Sequence, residues 1–133
     1  MGNIAYFEVP ADDLKRARNF YSKVLGWSIK KTKMPGTQDD YYSITTGKAK
    51  LVKGMGVLNM GGLTKRMMPN QQIVNYTQVE KIEKIAQKAI ASGGKIILDI
   101  MPVPTVGKIA VVQDSEGNAI GIWEAEVKKA KRR

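Results

Sequence analysis

Tyr6-Phe7-Glu8-Val9-Pro10-Ala11-Asp12-Asp13-Leu14-Lys15-Arg16-Ala17 leads through Phe20-Tyr21 to Val24-Leu25-Gly26-Trp27. From Ile4 to Val9 the residues alternate. Ala5, Phe7 and Val9 share one face, and Ile4, Tyr6 and Glu8 share the other. That is a strand with one apolar and one mixed face. Pro10 is expected to end it, because proline cannot donate to a ladder. Asp12 or Asp13 suits a helix N-cap. Leu14, Ala17, Phe20, Tyr21, Val24 and Leu25 recur at helical spacing, and Gly26 stands where a closing glycine belongs.

Working outward, strands are expected at 27–31 and 41–46. A fourth is expected at 55–60, weakened by Gly56. Gly61-Gly62 through Asn70 reads as a flexible connection. A fifth strand covers 71–79. A second helix carries Ile82, Ile85, Ala86, Ala89 and Ile90 on one face and closes at Gly93-Gly94. A strand at 95–101 and a hairpin across Asp114-Ser115-Glu116-Gly117-Asn118 complete the pattern. Shifting the chain so that Leu14 falls on Ile82 also places Ala17 on Ile85, Gly26 on Gly94 and Ile29 on Ile97. Each half therefore reads as strand, helix and three strands.

The 133 residues suffice for one domain with a sizeable core. There is no cysteine, so disulfides, thiolate catalysis and thiolate metal sites are excluded. There is no histidine, which removes the commonest metal ligand and the usual acid/base side chain near neutral pH. Net charge is +10, and the terminal run Lys128-Lys129-Ala130-Lys131-Arg132-Arg133 carries half of it. No apolar run approaches the ~20 residues of a membrane span, and no signal-peptide core opens the chain. A cytoplasmic protein without a membrane partner is expected.

Two stretches carry more than periodicity. The opening stretch quoted above resembles the start of the glyoxalase/bleomycin-resistance/dioxygenase superfamily, also called vicinal oxygen chelate. Val103-Pro104, Val106-Gly107 and Asp114-Ser115-Glu116-Gly117-Asn118-Ala119-Ile120-Gly121-Ile122-Trp123-Glu124 resemble its closing hairpin. The likeness spans about residues 3 to 126 and is nearest to the single-unit, glyoxalase-like subgroup related to lactoylglutathione lyase. It implies an α+β fold of two βαβββ modules, at about 3–62 and 71–126. These curl into a cupped, half-open mixed barrel with helices outside and a basic tail at 127–133. It also implies a homodimer.

Enzymes of this superfamily hold a divalent metal with His, Gln and Glu on the first and last strands of the modules. Carried over, those positions fall on Tyr6, Val74, Gly121 and, on the fourth strand, Asn59. Valine and glycine offer no donor, and a phenol with a pKa near ~10 is a poor ligand for such ions. No metal site and no cofactor are therefore expected. Glu124 has the opposite parity to Gly121 and should point away from Tyr6.

On the mixed face, Tyr6 and Glu8 come from the first strand, Val74 and Tyr76 from the fifth, and Gly121 and Trp123 from the eighth, with Asn59 from the fourth. Aromatic walls, one carboxylate and an amide suit a small-molecule pocket. Packing or a dimer contact explains Tyr6, Tyr76 and Trp123 as well, and simple packing explains Val74. Glu8 is the one candidate for catalysis, as a base if burial raises its pKa. Asp12, Asp13, Gly26, Asp114, Gly117 and Asn118 have structural work as caps and turns.

The leading expectation is a protein that binds a small organic molecule without the family's metal. The alternative is a lyase or isomerase, using an unconventional metal site or Glu8 alone. A third reading, association with nucleic acid, rests only on the basic tail, which has no interleaved aromatics and implies no specific nucleic-acid partner.

Overall fold

The computed structural model describes residues 2–33, 40–47 and 58–127. The basic run from Lys128 onward and the first half of the expected fourth strand, 55–57, lie outside the described residues. The chain forms two compact units, Ile4–Tyr76 and a second built from residues 1–3 and Thr77 onward. Among the described residues there are eight strands and two helices, in the order strand, helix and three strands, twice over. That is the α+β pattern expected.

In the first unit, β1 (Ile4–Ala11) leads into α1 (Leu14–Leu25), then β2 (Ser28–Lys33), β3 (Asp40–Thr45) and β4 (Met60–Lys65). The strand order is β2-β3-β4-β1. β1 and β4 are parallel, with Phe7 opposite Gly61 and Glu8 opposite Gly62. β3 runs antiparallel to β4, and β2 antiparallel to β3. Alternation decides what each face does. Val9, Ala11, Ile29, Tyr42, Ile44 and Leu63 form a buried core, closed by Phe7, Leu14, Ala17, Tyr21 and Trp27.

α1 is held at both ends by its own sequence. The Asp13 carboxylate accepts the Arg16 N–H at 3.0 Å, so Asp13 rather than Asp12 is the cap; Asp12 instead pairs with Arg66 at 3.1 Å. Gly26 adopts φ 69° and donates to the Ser22 carbonyl, a left-handed closure that favours glycine. The apolar stripe of α1 is narrower than its spacing suggests. Leu14, Ala17 and Tyr21 pack inward, whereas Phe20, Val24 and Leu25 are exposed.

Two expectations fail here. Pro10 does not end β1, which runs on to Ala11. The Ala11 carbonyl accepts the Arg66 N–H at 2.8 Å, so it is Ala11 that bonds toward β4. Pro10, one residue out of phase, is not asked for the donor it lacks on that side. The larger correction concerns Gly61-Gly62. They are not a flexible connection. They are the middle of β4, both buried. A Cβ on Gly61 would meet the Phe7 ring at 2.6 Å and the Phe7 carbonyl oxygen at 2.7 Å. A Cβ on Gly62 would collide with the hydroxyl ends of Tyr41 and Tyr6. Glycine is required there by close approach from both faces.

The second unit contains α2 (Ile82–Ala91), β6 (Lys95–Val103), β7 (Gly107–Gln113) and β8 (Ala119–Ala125). The three strands form an antiparallel ladder in the order β8-β7-β6. β5 (Val74–Gln78) contributes its first residues to the first unit and its last to the second. Ile82, Ala86, Ala110, Val112 and Ile122 make the core, with Ile85, Ala89 and Ile120 against it. Ile90 is exposed. The β7–β8 hairpin is tied by Asp114, whose carboxylate accepts from the Glu116 and Asn118 amides at 2.8 and 2.9 Å. α2 starts at Lys81, which offers no side-chain cap. Glu124 of β8 supplies one instead, accepting the Ile82 N–H at 3.0 Å.

Alanine at the two glycines should separate these constraints. Gly61→Ala meets backbone that cannot retreat and should lose about 3 kcal/mol or more of stability. Gly62→Ala meets the ends of two side chains and should lose about 1–2 kcal/mol. Urea unfolding followed by tryptophan fluorescence would show this order, and the reverse order would contradict the packing described. Glu124→Gln should cost about 1 kcal/mol through the weakened cap on α2, read in the same unfolding curves.

Candidate functional site

The face of the first unit turned away from α1 carries the candidate site. β1 supplies Tyr6 and Glu8, and β5 supplies Val74 and Tyr76. β3 supplies Tyr41, which alternates with the core residues Tyr42 and Ile44. Gly62 of β4 lies opposite Glu8 on one side and Ser43 on the other. Its missing side chain lets the hydroxyls of Tyr6 and Tyr41 come down onto the strand. The Tyr6 and Tyr76 rings lie 6.2 Å apart, tilted by 57°. Tyr76 is buried, and Tyr6, Glu8 and Tyr41 are half-buried.

Glu8 is thus a carboxyl set among phenols. No hydrogen bond or ion pair reaches it among the described residues. Burial pushes its pKa up to about 7, because a carboxylate loses hydration there without gaining a compensating charge. Burial also pushes the Tyr41 phenol upward. Tyr76 is raised first by burial and then by the negative charge of Glu8 and of Tyr41. The tyrosines therefore stay protonated at neutral pH, while Glu8 exchanges its proton there.

Of the residues singled out in the sequence, Tyr6, Glu8 and Tyr76 come together. Val74 is buried on the same strand, in phase with Tyr76. Gly121 and Trp123 belong to the second unit, on the face of β8 opposite Ile120 and Ile122, which pack with α2. The Trp123 indole N–H donates to the Val106 carbonyl at 3.0 Å. Asn59 is misplaced by the sequence reading. It precedes β4, is exposed, and is held by its carbonyl, which accepts the Thr46 N–H at 3.1 Å. The fourth-strand position that faces Glu8 is Gly62.

Tyr41 and Gly62 were not singled out in the sequence. The signal for Tyr41 was present in the parity of β3, where Tyr42 and Ile44 face the core. Gly62 was hidden because paired glycines usually mark a turn. Glu124, expected to point away from Tyr6, goes to the N-terminus of α2.

The metal positions implied by the resemblance do not fit a divalent ion. Val74 is apolar, Gly121 has no side chain, and the fourth-strand position is also a glycine. Tyr6 would offer a phenol. Among the described residues no three acidic side chains gather to hold a metal. Hard divalent ions want several charged or carbonyl oxygens, and this face offers one carboxylate. No step through a metal is derived.

Residues 3–122 match the Glyoxalase/Bleomycin resistance protein/Dioxygenase superfamily, and the chain belongs to it. The chain is 23% identical to CFP32 of Mycobacterium tuberculosis, which is named as a glyoxylase, over 93% of this chain and 46% of that protein. It thus spans about half the length of that relative. It is 25% identical to a glyoxylase-like domain-containing protein of Didymella fabae, over 91% of this chain and 92% of that one. A superfamily member from Vibrio splendidus superposes with a TM-score of 0.58 at 18% identity, covering 95% of this chain and all of that one. At that identity the superposition speaks for the fold.

The raised pKa of Glu8 has a consequence for stability. The folded state holds this proton more tightly than the unfolded chain, whose carboxyl titrates near the ordinary 4.5. The contribution is fully favourable below about 4.5. It is lost as pH rises to about 7, and the loss is complete above that. Glu8→Gln mimics the protonated carboxyl. Its melting temperature should match the parent's at pH 5 to within a few degrees and exceed it by roughly 5–10 °C at pH 8. A difference that does not change with pH would show that Glu8 is not desolvated.

Proposed function

We propose that the protein binds a small organic molecule on the face carrying Tyr6, Glu8, Tyr41 and Tyr76, without the metal used by enzymes of the superfamily. The observation that carries this is the lone carboxyl framed by phenols where the metal ligands would have to stand. Small-molecule sites are mostly apolar and aromatic with a few placed polar groups, and this face has that composition. Val74 of the first unit, and Gly121 and Trp123 of the second, are candidates for extending the contact.

A second reading is supported by one specific feature. A carboxyl that titrates at about 7 is suited to take and return a proton at neutral pH. Glu8 would then be the base of a lyase or isomerase. Its carboxylate would accept a proton from a carbon acid and return it to the same or a neighbouring atom, with the tyrosine hydroxyls donating to the charge that develops on substrate oxygen. Kinship within a superfamily does not choose between the two.

Pairing with a second copy of the chain is what the superfamily resemblance implies. Light scattering on the purified chain should give the mass of two protomers. The mass of one protomer would remove self-association from this reading.

A thermal-shift screen with neutral, anionic and cationic small molecules, repeated with a chelator present, tests the binding site itself. Hits should survive the chelator and weaken at least tenfold in Tyr41→Ala. Hits that vanish with the chelator, or that are indifferent to Tyr41→Ala, would overturn it.

A further inference from the structure

We propose that Glu8 and the rings of Tyr6, Tyr41 and Tyr76 form a receptor for an organic ammonium ion. The inference rests on the reading of this face as a ligand site and names the chemistry of the ligand.

The chain carries 22 lysines and arginines against 12 acids, yet no cation reaches Glu8 among the described residues. Among the described residues of its unit, the ionisable groups that face it are Tyr6 on its own strand, Tyr41 from β3 and Tyr76 from β5; β4 presents Gly62. Lys30 of β2 shares this face but stands across Ser43 and Gly62. That places it three strand spacings away, about 14 Å. A half-buried carboxylate in a basic protein would ordinarily recruit a lysine or be replaced. Here the position opposite it is glycine, and every ionisable neighbour among the described residues is a phenol.

The neighbours also say which cation would fit. Tyr41 and Tyr76 are held protonated by burial, so they offer π-faces and neutral oxygens rather than phenolate. A hard metal ion would lack ligands. A diffuse organic cation would find aromatic rings, those of Tyr6 and Tyr76 6.2 Å apart, and one opposing charge. Cation–π contacts of this kind contribute on the order of 0.5–2 kcal/mol each, more when water is excluded. A quaternary or alkylated ammonium needs no hydrogen-bond acceptors to satisfy it, which matches a wall of rings. Binding would also favour the ionised form of Glu8, so cation uptake and proton release are linked.

The test uses the full chain with choline and its uncharged isostere 3,3-dimethylbutan-1-ol, measured by calorimetry or NMR titration. Choline keeps its charge at every pH, so any pH dependence reports on the protein. Choline should bind at pH 8 at least tenfold more tightly than the alcohol. That preference should shrink toward pH 5, and Glu8→Gln should abolish it at pH 8. The variant's melting curve, already needed for its stability, shows that it is folded. Equal affinity for the two compounds would overturn the inference. So would choline binding unaffected by Glu8→Gln, or its absence at tens of millimolar. Binding of the alcohol alone would sink the ammonium assignment while leaving the metal-free small-molecule site in place.

Discussion

The close approach of aromatic side chains to the middle of β4 sets the terms for the first unit. Gly61 takes the Phe7 ring on the core face, and Gly62 takes the ends of Tyr6 and Tyr41 on the other. Phe7 in turn meets Trp27, whose ring stacks on Tyr21 of α1 at 5.0 Å. One pair of small residues therefore seats the helix on one side and draws the tyrosines together on the other. The parallel pairing of β1 with β4 places Glu8 opposite Gly62. The carboxyl consequently has no side chain across the strand, and its ionisable neighbours among the described residues are phenols. Its desolvation follows from that packing, and its perturbed titration follows from the desolvation.

The same arrangement explains how the chain keeps the fold of its superfamily at positions whose residues do not fit a divalent ion. The caps, turns and core positions are intact: Asp13 opens α1, Gly26 closes it, Asp114 ties the hairpin and Ile122 packs on α2. None of these depends on metal ligands. Positions where ligands would be implied are free to change, and they hold a phenol, an aliphatic side chain and two glycines. Gly62 of β4 and Gly121 of β8 both lie on the face of their strand turned away from the helix.

Most of the fold was legible because its signals are local. Period-two alternation located β1, aromatic and β-branched residues located β3, turn-forming residues located the β7–β8 hairpin, and helical spacing with a capping aspartate located α1. The errors came where a residue's role is set by a distant partner. Paired glycines were read as a loop because the rings that demand them, from residues 6, 7 and 41, are far away in sequence. That displaced the fourth strand and put Asn59 in the site in place of Gly62. Pro10 was read as a stop because strand phase relative to β4 cannot be seen in one segment. The stripe of α1 was overestimated because spacing gives direction but not how much surface a neighbour covers. Parity alone placed Tyr6, Glu8 and Tyr76 on a common face. Tyr41 obeyed the same rule but gained its importance only once β4 was in place.

Among the described residues Glu8 is a desolvated, unpaired carboxyl that changes charge near neutral pH. The most direct measurement is the carbon-13 chemical shift of its side-chain carboxyl as a function of pH, assigned by comparison with Glu8→Gln. A midpoint near 7, accompanied by shifts in the Tyr76 ring, is the predicted result. A midpoint in the ordinary range near 4.5 would contradict it, and with it the proton-exchanging carboxyl on which the functional reading depends.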